Sequence, residues 1–281
     1  MKRFGVVIVG DEILSGRRTD KHFSKVIELL SARGLQLSWA RYVGDDRAAI
    51  ADVLTHSFAG DDAVFVTGGI GATPDDQTRQ AAAEALGIPI HLHPEAEQLI
   101  LARIAKMNAE ASDPLPLDAP EHRQRLRMGE FPAGAAIIPN PYNQIPGFFV
   151  REHYFVPGFP VMAWPMLEWV LETKYAGLFH HAPRAERSVL VFETPESKVT
   201  PLMERIEADF DDIKVFSLPS VGDASAGTSD DARVALRAKR HIELGVKGSV
   251  DRVDAAFAAL EAGLTQLGAP FTRADDTLRI D

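Results

Sequence analysis

The run Ala63-Val64-Phe65-Val66-Thr67-Gly68-Gly69-Ile70-Gly71-Ala72-Thr73-Pro74-Asp75-Asp76 passes from a short apolar segment into three glycines in four positions, then into a helix-start pattern. Ala63–Thr67 has the texture of a strand buried on both faces, as in a parallel sheet. Gly68, Gly69 and Gly71 permit positive φ and let a ligand come close to bare backbone. A helix over about Pro74–Leu86, stopped by Gly87, would add unpaired N–H groups and the positive end of a dipole. Together these favour an anion, most naturally phosphate. The spacing is neither GxGxxG nor GxxxxGK[ST], so the loop is not a Rossmann or P-loop fingerprint. Thr73, Pro74 and Asp76 also read as the N-cap, first-turn proline and N3 acid of a variant capping box.

Working outward, Phe4–Val9 and Leu35–Val43 read as two further strands. A helix carrying Phe23, Val26, Ile27 and Leu30 separates them, and a second one over Arg47–Phe58, capped by Asp46, leads on to Ala63. Strand and helix alternate three times with short connections, which predicts βαβ units in a three-layer α/β/α domain with a mostly parallel sheet. In such sheets ligands collect at the carboxyl ends of the strands. Gly10-Asp11-Glu12, Gly44-Asp45-Asp46 and the glycine loop all fall at that edge. Two acids beside an anion site would repel a phosphate unless a divalent cation stood between them, and Mg²⁺ takes carboxylates together with phosphate oxygens. Beyond Gly87 the expected elements are a short strand at Ile88–Leu92, a helix over Pro94–Met107, a proline-broken loop at 111–120, strands at Ala135–Ile138 and Phe148–Val156, and a helix over Pro160–Leu171.

A second unit is expected from residue 184 to 281, leaving 1–180 as the first. Its elements read as a strand at Ser188–Glu193, a helix at Lys198–Phe210, a strand at Ile213–Val221, a flexible loop at 223–231, a strand at 233–246 and a helix over Val250–Leu267. That order is a split βαβ, a ferredoxin-like or KH-like α+β arrangement. Residues 181–281 hold 13 Lys and Arg against 18 Asp and Glu, and no GxxG nucleic-acid loop is expected there. The whole chain has 30 basic against 40 acidic residues, a formal charge of −10, so a nucleic-acid partner is not expected. The chain has no cysteine, which excludes disulfides and thiolate chemistry. With no leader-like or spanning apolar run, a cytoplasmic protein without membrane attachment is expected. His91-Leu92-His93 places two imidazoles on one strand face but offers no third ligand, and Trp164 and Trp169 read as helix packing.

The runs GDEILSG (10–16) with Asp20, VGDDRAAI (43–50), VTGGIGATPDDQT (66–78), NPYNQIPGFF and VPGFP together resemble the competence/damage-inducible protein A (CinA) family. More broadly, residues 4–170 are similar to the molybdopterin-binding domain of molybdenum-cofactor biosynthesis (MoCF) proteins, and 187–268 to the KH-type domain that follows it in CinA proteins. The resemblance implies a nucleotide or pterin ligand, molybdopterin among the possibilities, and a divalent metal such as Mg²⁺. It also implies ADP-ribose-type pyrophosphatase activity and a homo-oligomer, dimer or trimer. The C-terminal amidase domain of longer family members is not expected. By matched position, Asp45 and Asp76 become candidate catalytic and metal-holding residues. Gly68, Gly69, Ile70, Gly71, Thr73, Asp75, Asp11, Glu12, Asn140, Pro146 and Gly147 become candidate ligand-binding residues. Departures fall on the substrate side: Asp20-Lys21-His22 stands for Asp-Thr-Asn, Arg127-Met128-Gly129 for Lys-Gln-Ala, Asn143 for a glycine and Met162 for a glutamate. Two alternatives stand beside a pyrophosphatase: a non-catalytic pterin or nucleotide module, and a nucleotidyltransferase of the molybdenum-cofactor type.

Overall fold

The computed structural model describes residues 2–112, 115–116, 119–181, 184–222 and 239–274. The chain divides into two compact units, 1–181 and 182–281.

In the first unit, β1 (Phe4–Val9), β2 (Leu37–Val43), β3 (Ala63–Thr67), β6 (Ala136–Ile138), β7 (Gly147–Val150) and β8 (His153–Val156) form one sheet in the order β2-β1-β3-β8-β7-β6. The first four in that order are parallel neighbours, and β7 runs antiparallel to both β8 and β6. The sheet is therefore mostly parallel, with one reversed strand. β1 and β3 are buried along their whole length, and their side chains alternate between two cores. Val7, Val9, Val64 and Val66 pack on α3 (Arg47–Phe58), α4 (Thr78–Leu86) and α5 (Pro94–Glu110) through Ile50, Leu54, Ala81 and Ala96. Phe4, Val6, Ile8 and Phe65 pack on α2 (His22–Ser31) and α7 (Pro160–Val170) through Val26, Leu30, Met166 and Val170. Period-two alternation in a doubly covered strand thus produces the three layers.

Several expected elements need correction. Phe148–Val156 is not one strand but the β7–β8 hairpin, broken at Arg151 (φ 51°) and Glu152, where two charges interrupt the apolar run. The helix after the glycine loop begins at Thr78 rather than Pro74, because Thr73 and Asp76 close a turn on each other first. The sequence does not predict α6 (Pro120–Leu126) or β5 (Glu130–Pro132), the latter pairing with β4 (Ile90–Leu92) in a two-stranded ribbon. A four-residue helix, α1 (Asp11–Leu14), follows β1.

The second unit has the element order β9 (Arg184–Phe192), α8 (Glu196–Asp209), β10 (Lys214–Ser220), β11 (His241–Ser249), α9 (Val250–Gln266) and β12 (Phe271–Arg273). Its sheet order is β10-β11-β9-β12, with every neighbouring pair antiparallel. β9 and β10 run parallel with β11 between them, the split βαβ of a ferredoxin-like layout. Leu202, Ile206, Phe257, Leu260 and Leu264 close one face over Val189, Val191, Leu244 and Val246. The expected loop at 223–231 and the start of the strand expected from residue 233 lie outside the described residues. The described strand begins at His241 and runs to Ser249. A GxxG does occur, at Gly245-Val246-Lys247-Gly248, contrary to expectation. It lies inside β11, where a Cβ on Gly245 would overlap the Phe216 ring and one on Gly248 would overlap Ile213, so it forms no loop.

Candidate functional site

The parallel strands β1, β2, β3 and β8 end on one edge of the sheet, delivering the loops at 10–12, 44–46, 68–76 and 157–160. Gly68 (φ 99°) and Gly69 (φ 67°) occupy the left-handed region that glycine tolerates best. A Cβ on Gly68 would overlap the Val9 carbonyl oxygen, and one on Gly69 would overlap Thr78 Oγ1. The loop is stitched down at Gly68, whose N–H donates to Val156 O at 3.0 Å, and at Gly69, whose carbonyl accepts from Thr78 N at 3.0 Å. Ile70 was expected to touch ligand. Its side chain instead belongs to the core beside Val9 and Val66, so only its backbone is available.

The four successive N–H groups of Gly69, Ile70, Gly71 and Ala72 have no acceptor among the described residues. Their carbonyl partners are not idle. Arg79 Nη2 donates to Gly71 O at 2.5 Å, and Gln124 Nε2 donates to Ala72 O. Thr73 is bound to Asp76 instead: its N–H and hydroxyl donate to Asp76 Oδ2 at 2.9 and 2.5 Å, and Asp76 N returns a bond to Thr73 O at 3.1 Å.

The acids do not meet as the sequence suggests. Asp45 and Asp11 exchange bonds: Asp11 N donates to Asp45 Oδ2 at 2.9 Å and Asp45 N to Asp11 Oδ1 at 3.2 Å. Burial holds the Asp45 carboxyl above its ordinary value, reinforced by the charges of Asp11, Glu12 and Asp75 and opposed by the Asp11 N–H. Asp76 is engaged elsewhere. It faces Thr73 and lends its charge to Arg79. Asp45 is engaged with Asp11 and Asp76 with Thr73, and no group of three His, Cys, Asp or Glu among the described residues gathers closely enough to hold a metal. Asp46 is a helix cap, accepting from Ala49 N at 2.8 Å.

Beside the glycine loop, at the ends of β1 and β3, a cavity of about 390 Å³ is walled by Glu12, Arg18, Lys21, His22, Thr67 and Phe159, among others. Gly158 joins cavity to loop, since a Cβ there would stand 3.5 Å from Gly68 Cα. His22 Nε2 lies 2.9 Å from Gly158 O; a carbonyl only accepts, so this nitrogen carries the proton. Arg18, Thr67, His22 and Phe159 are site-wall residues that motif reading did not single out for binding. Asn140, Pro146 and Gly147 do not line this cavity. The Asn140 amide bonds to Asn143 Oδ1 (2.8 Å) and Ile145 O (2.9 Å), and its oxygen accepts from Tyr142 N (3.1 Å), so it holds its own turn.

Residues 5–176 match the MoCF_biosynth family, a probable molybdopterin binding domain. The chain belongs to this molybdopterin-binding domain family. It is similar to a CinA-like protein of Citrifermentans bemidjiense, with 34% identity over 72% of this chain and 47% of the relative. It is also similar to one of Anaeromyxobacter sp. (strain Fw109-5), with 31% identity over 73% of this chain and 48% of the relative. The chain thus spans about half the length of the curated relatives it matches. Among solved structures, the protein CinA of Thermoplasma acidophilum aligns with 27% identity and a TM-score of 0.51, covering 61% of this chain and 96% of that one. The family match covers the first unit only. No described helix is long and apolar enough to cross a membrane.

Proposed function

We propose that the first unit binds a phosphate- or pyrophosphate-bearing small molecule, seating the phosphate on the Gly69–Ala72 amides. The organic part, a nucleoside or a pterin such as that of molybdopterin, lies in the adjoining cavity. The row of four N–H groups without acceptors among the described residues carries this reading, because successive backbone donors at the end of a parallel strand are suited to receive an anion. Arg18 and Lys21 on the cavity wall favour a second anionic group, and the match to a molybdopterin-binding family supports the ligand class.

The enzymatic form of this reading is hydrolysis of the pyrophosphate, of the ADP-ribose type and aided by Mg²⁺. The raised Asp45 carboxyl favours it, since such a group accepts a proton from water more readily than an ordinary carboxylate. A cation would draw on Asp45 with a second carboxylate, Asp76 or one of Asp11, Glu12 and Asp75. Binding without turnover is the second reading, favoured by Asp45 being already engaged with Asp11 N. No observation favours nucleotidyl transfer. A dimer or trimer is part of the proposal; Phe23, Ile27 and Val161, exposed on α2 and α7, support it.

Incubating the protein with ADP-ribose or FAD, with and without Mg²⁺, followed by chromatography separates the two readings. Mg²⁺-dependent AMP that disappears in Asp45→Asn supports the hydrolase. Tight binding with no AMP supports the module. Failure to bind either dinucleotide or inorganic pyrophosphate overturns both.

A further inference from the structure

We infer that Arg79 and Gln124 are positioning residues of the glycine loop: Arg79 holds the Gly71 carbonyl inward and so leaves the Ala72 N–H facing out, and Gln124 fixes the loop's far end through the Ala72 carbonyl. This rests on the phosphate reading above only for its functional consequence; the positioning itself can be tested without a ligand.

The peptide plane links the two directions. In a trans peptide the carbonyl of one residue and the N–H of the next point opposite ways. Arg79 Nη2 on Gly71 O at 2.5 Å therefore turns the Ala72 N–H away from the protein's interior. The Thr78 N–H on Gly69 O at 3.0 Å does the same for Ile70. Gln124 Nε2 on Ala72 O aims the next N–H, that of Thr73, at Asp76 Oδ2, closing the loop's far end. Without these donors the carbonyls at 71 and 72 would be free to rotate outward and present oxygen where an anion must sit.

Arg79 is suited to this task. It is 2% exposed, and its fork reaches two carbonyls at once, Gly71 through Nη2 and Arg127 through Nη1. Its remaining nitrogen, Nε, has no partner among the described residues. One rigid guanidinium thus clamps the glycine loop to the turn at Arg127–Gly129, which a lysine, a single point charge, cannot reproduce. Burial lowers its pKa to about 10, so it stays cationic at neutral pH, with Asp76 and Glu130 supporting the charge. A fixed positive charge therefore backs the loop. Gln124 differs: it is exposed, and it can be replaced without opening the core.

The test uses the full chain, ¹⁵N-labelled, as wild type, Gln124→Ala and Arg79→Lys. Two readouts are taken: the amide shifts and hydrogen exchange of Gly69–Thr73 without ligand, and the affinity for inorganic pyrophosphate by calorimetry. In Gln124→Ala the Ala72 and Thr73 amides should move and pyrophosphate binding weaken by about tenfold, the scale of one lost hydrogen bond, with Tm unchanged. Arg79→Lys should move Gly71 and Ala72 and weaken binding further although the charge is kept. Unchanged loop amides in Gln124→Ala, which folds in any case, overturn the positioning role. Shifted amides with unchanged affinity also overturn it. Shifted amides in a protein whose wild type ignores pyrophosphate uphold the positioning and sink the phosphate reading instead.

Discussion

The glycine loop at 68–76 and the turn at 140–147 are both polar, glycine- and proline-marked segments matched to the same family, yet they handle their polar groups in opposite ways. The 140–147 turn directs its side-chain amides onto itself: the amide nitrogen and oxygen of Asn140 are both bonded within the turn, and Asn143 Oδ1 accepts a second time from Ile145 N at 3.0 Å. The glycine loop binds its carbonyls to Arg79, Gln124 and Thr78 and leaves four N–H groups without an acceptor among the described residues. A segment whose side-chain amides bond within it is held as structure. A segment held by its carbonyls while its donors lack acceptors is, on the proposed reading, prepared for a ligand.

The contrast can be broken by exchanging effects between the two regions. The largest is expected at Gly69→Val. Its φ of 67° and the overlap of any Cβ with Thr78 Oγ1 force the loop to rearrange, so pyrophosphate affinity should fall by about 100-fold or more. Calorimetry beside circular dichroism checks this, and unchanged affinity would remove the loop from the site. Next is Asn140→Ala, which removes three hydrogen bonds from a buried position and should cost roughly 2–4 kcal/mol in urea unfolding. Pyrophosphate affinity should not move; if it does, the turn is part of the site after all.

Two pH effects follow at opposite ends of the sheet. His153, at the start of β8, bonds through Nε2 to Ser57 Oγ at 2.8 Å, and burial, aided by Arg151, pushes its pKa down to about 3. A folded-state value below the unfolded one means stability is full above the ordinary histidine range, pH ~6.5, and drains away as pH falls toward 3. Melting curves of His153→Gln should lack that slope. Asp45, at the loop edge, has the opposite sign. Its raised carboxyl stabilises the fold below the ordinary aspartate range, pH ~4, and that contribution is lost as pH rises through the raised value. Asp45→Asn should therefore raise Tm slightly at neutral pH, and the difference should close on acidification.

Much of the first unit was legible because β1 and β3 are unbroken apolar runs, for which a doubly covered parallel strand is the simplest solution. The glycine loop was legible from its spacing alone. What escaped was set by contacts distant in sequence. Thr73, Pro74 and Asp76 satisfy a capping pattern equally well as an isolated turn, and only the Gly69–Thr78 bond starts the helix four residues later than Pro74. Arg79 escaped because an arginine in a helix reads as surface. The signal was present nonetheless: Ala82 and Ala83 lie three and four residues on, and that small inward stripe places position 79 on the buried face. β5, only three residues long, has no periodicity to detect.

The most direct test of the phosphate cradle is a titration of the ¹⁵N-labelled protein with inorganic pyrophosphate, followed at every assigned amide. The largest shifts should fall on Gly69, Ile70, Gly71 and Ala72, with Tyr142 and Ile145 unmoved. Shifts centred on the 140–147 turn or in the second unit, with the four loop amides silent, would contradict it.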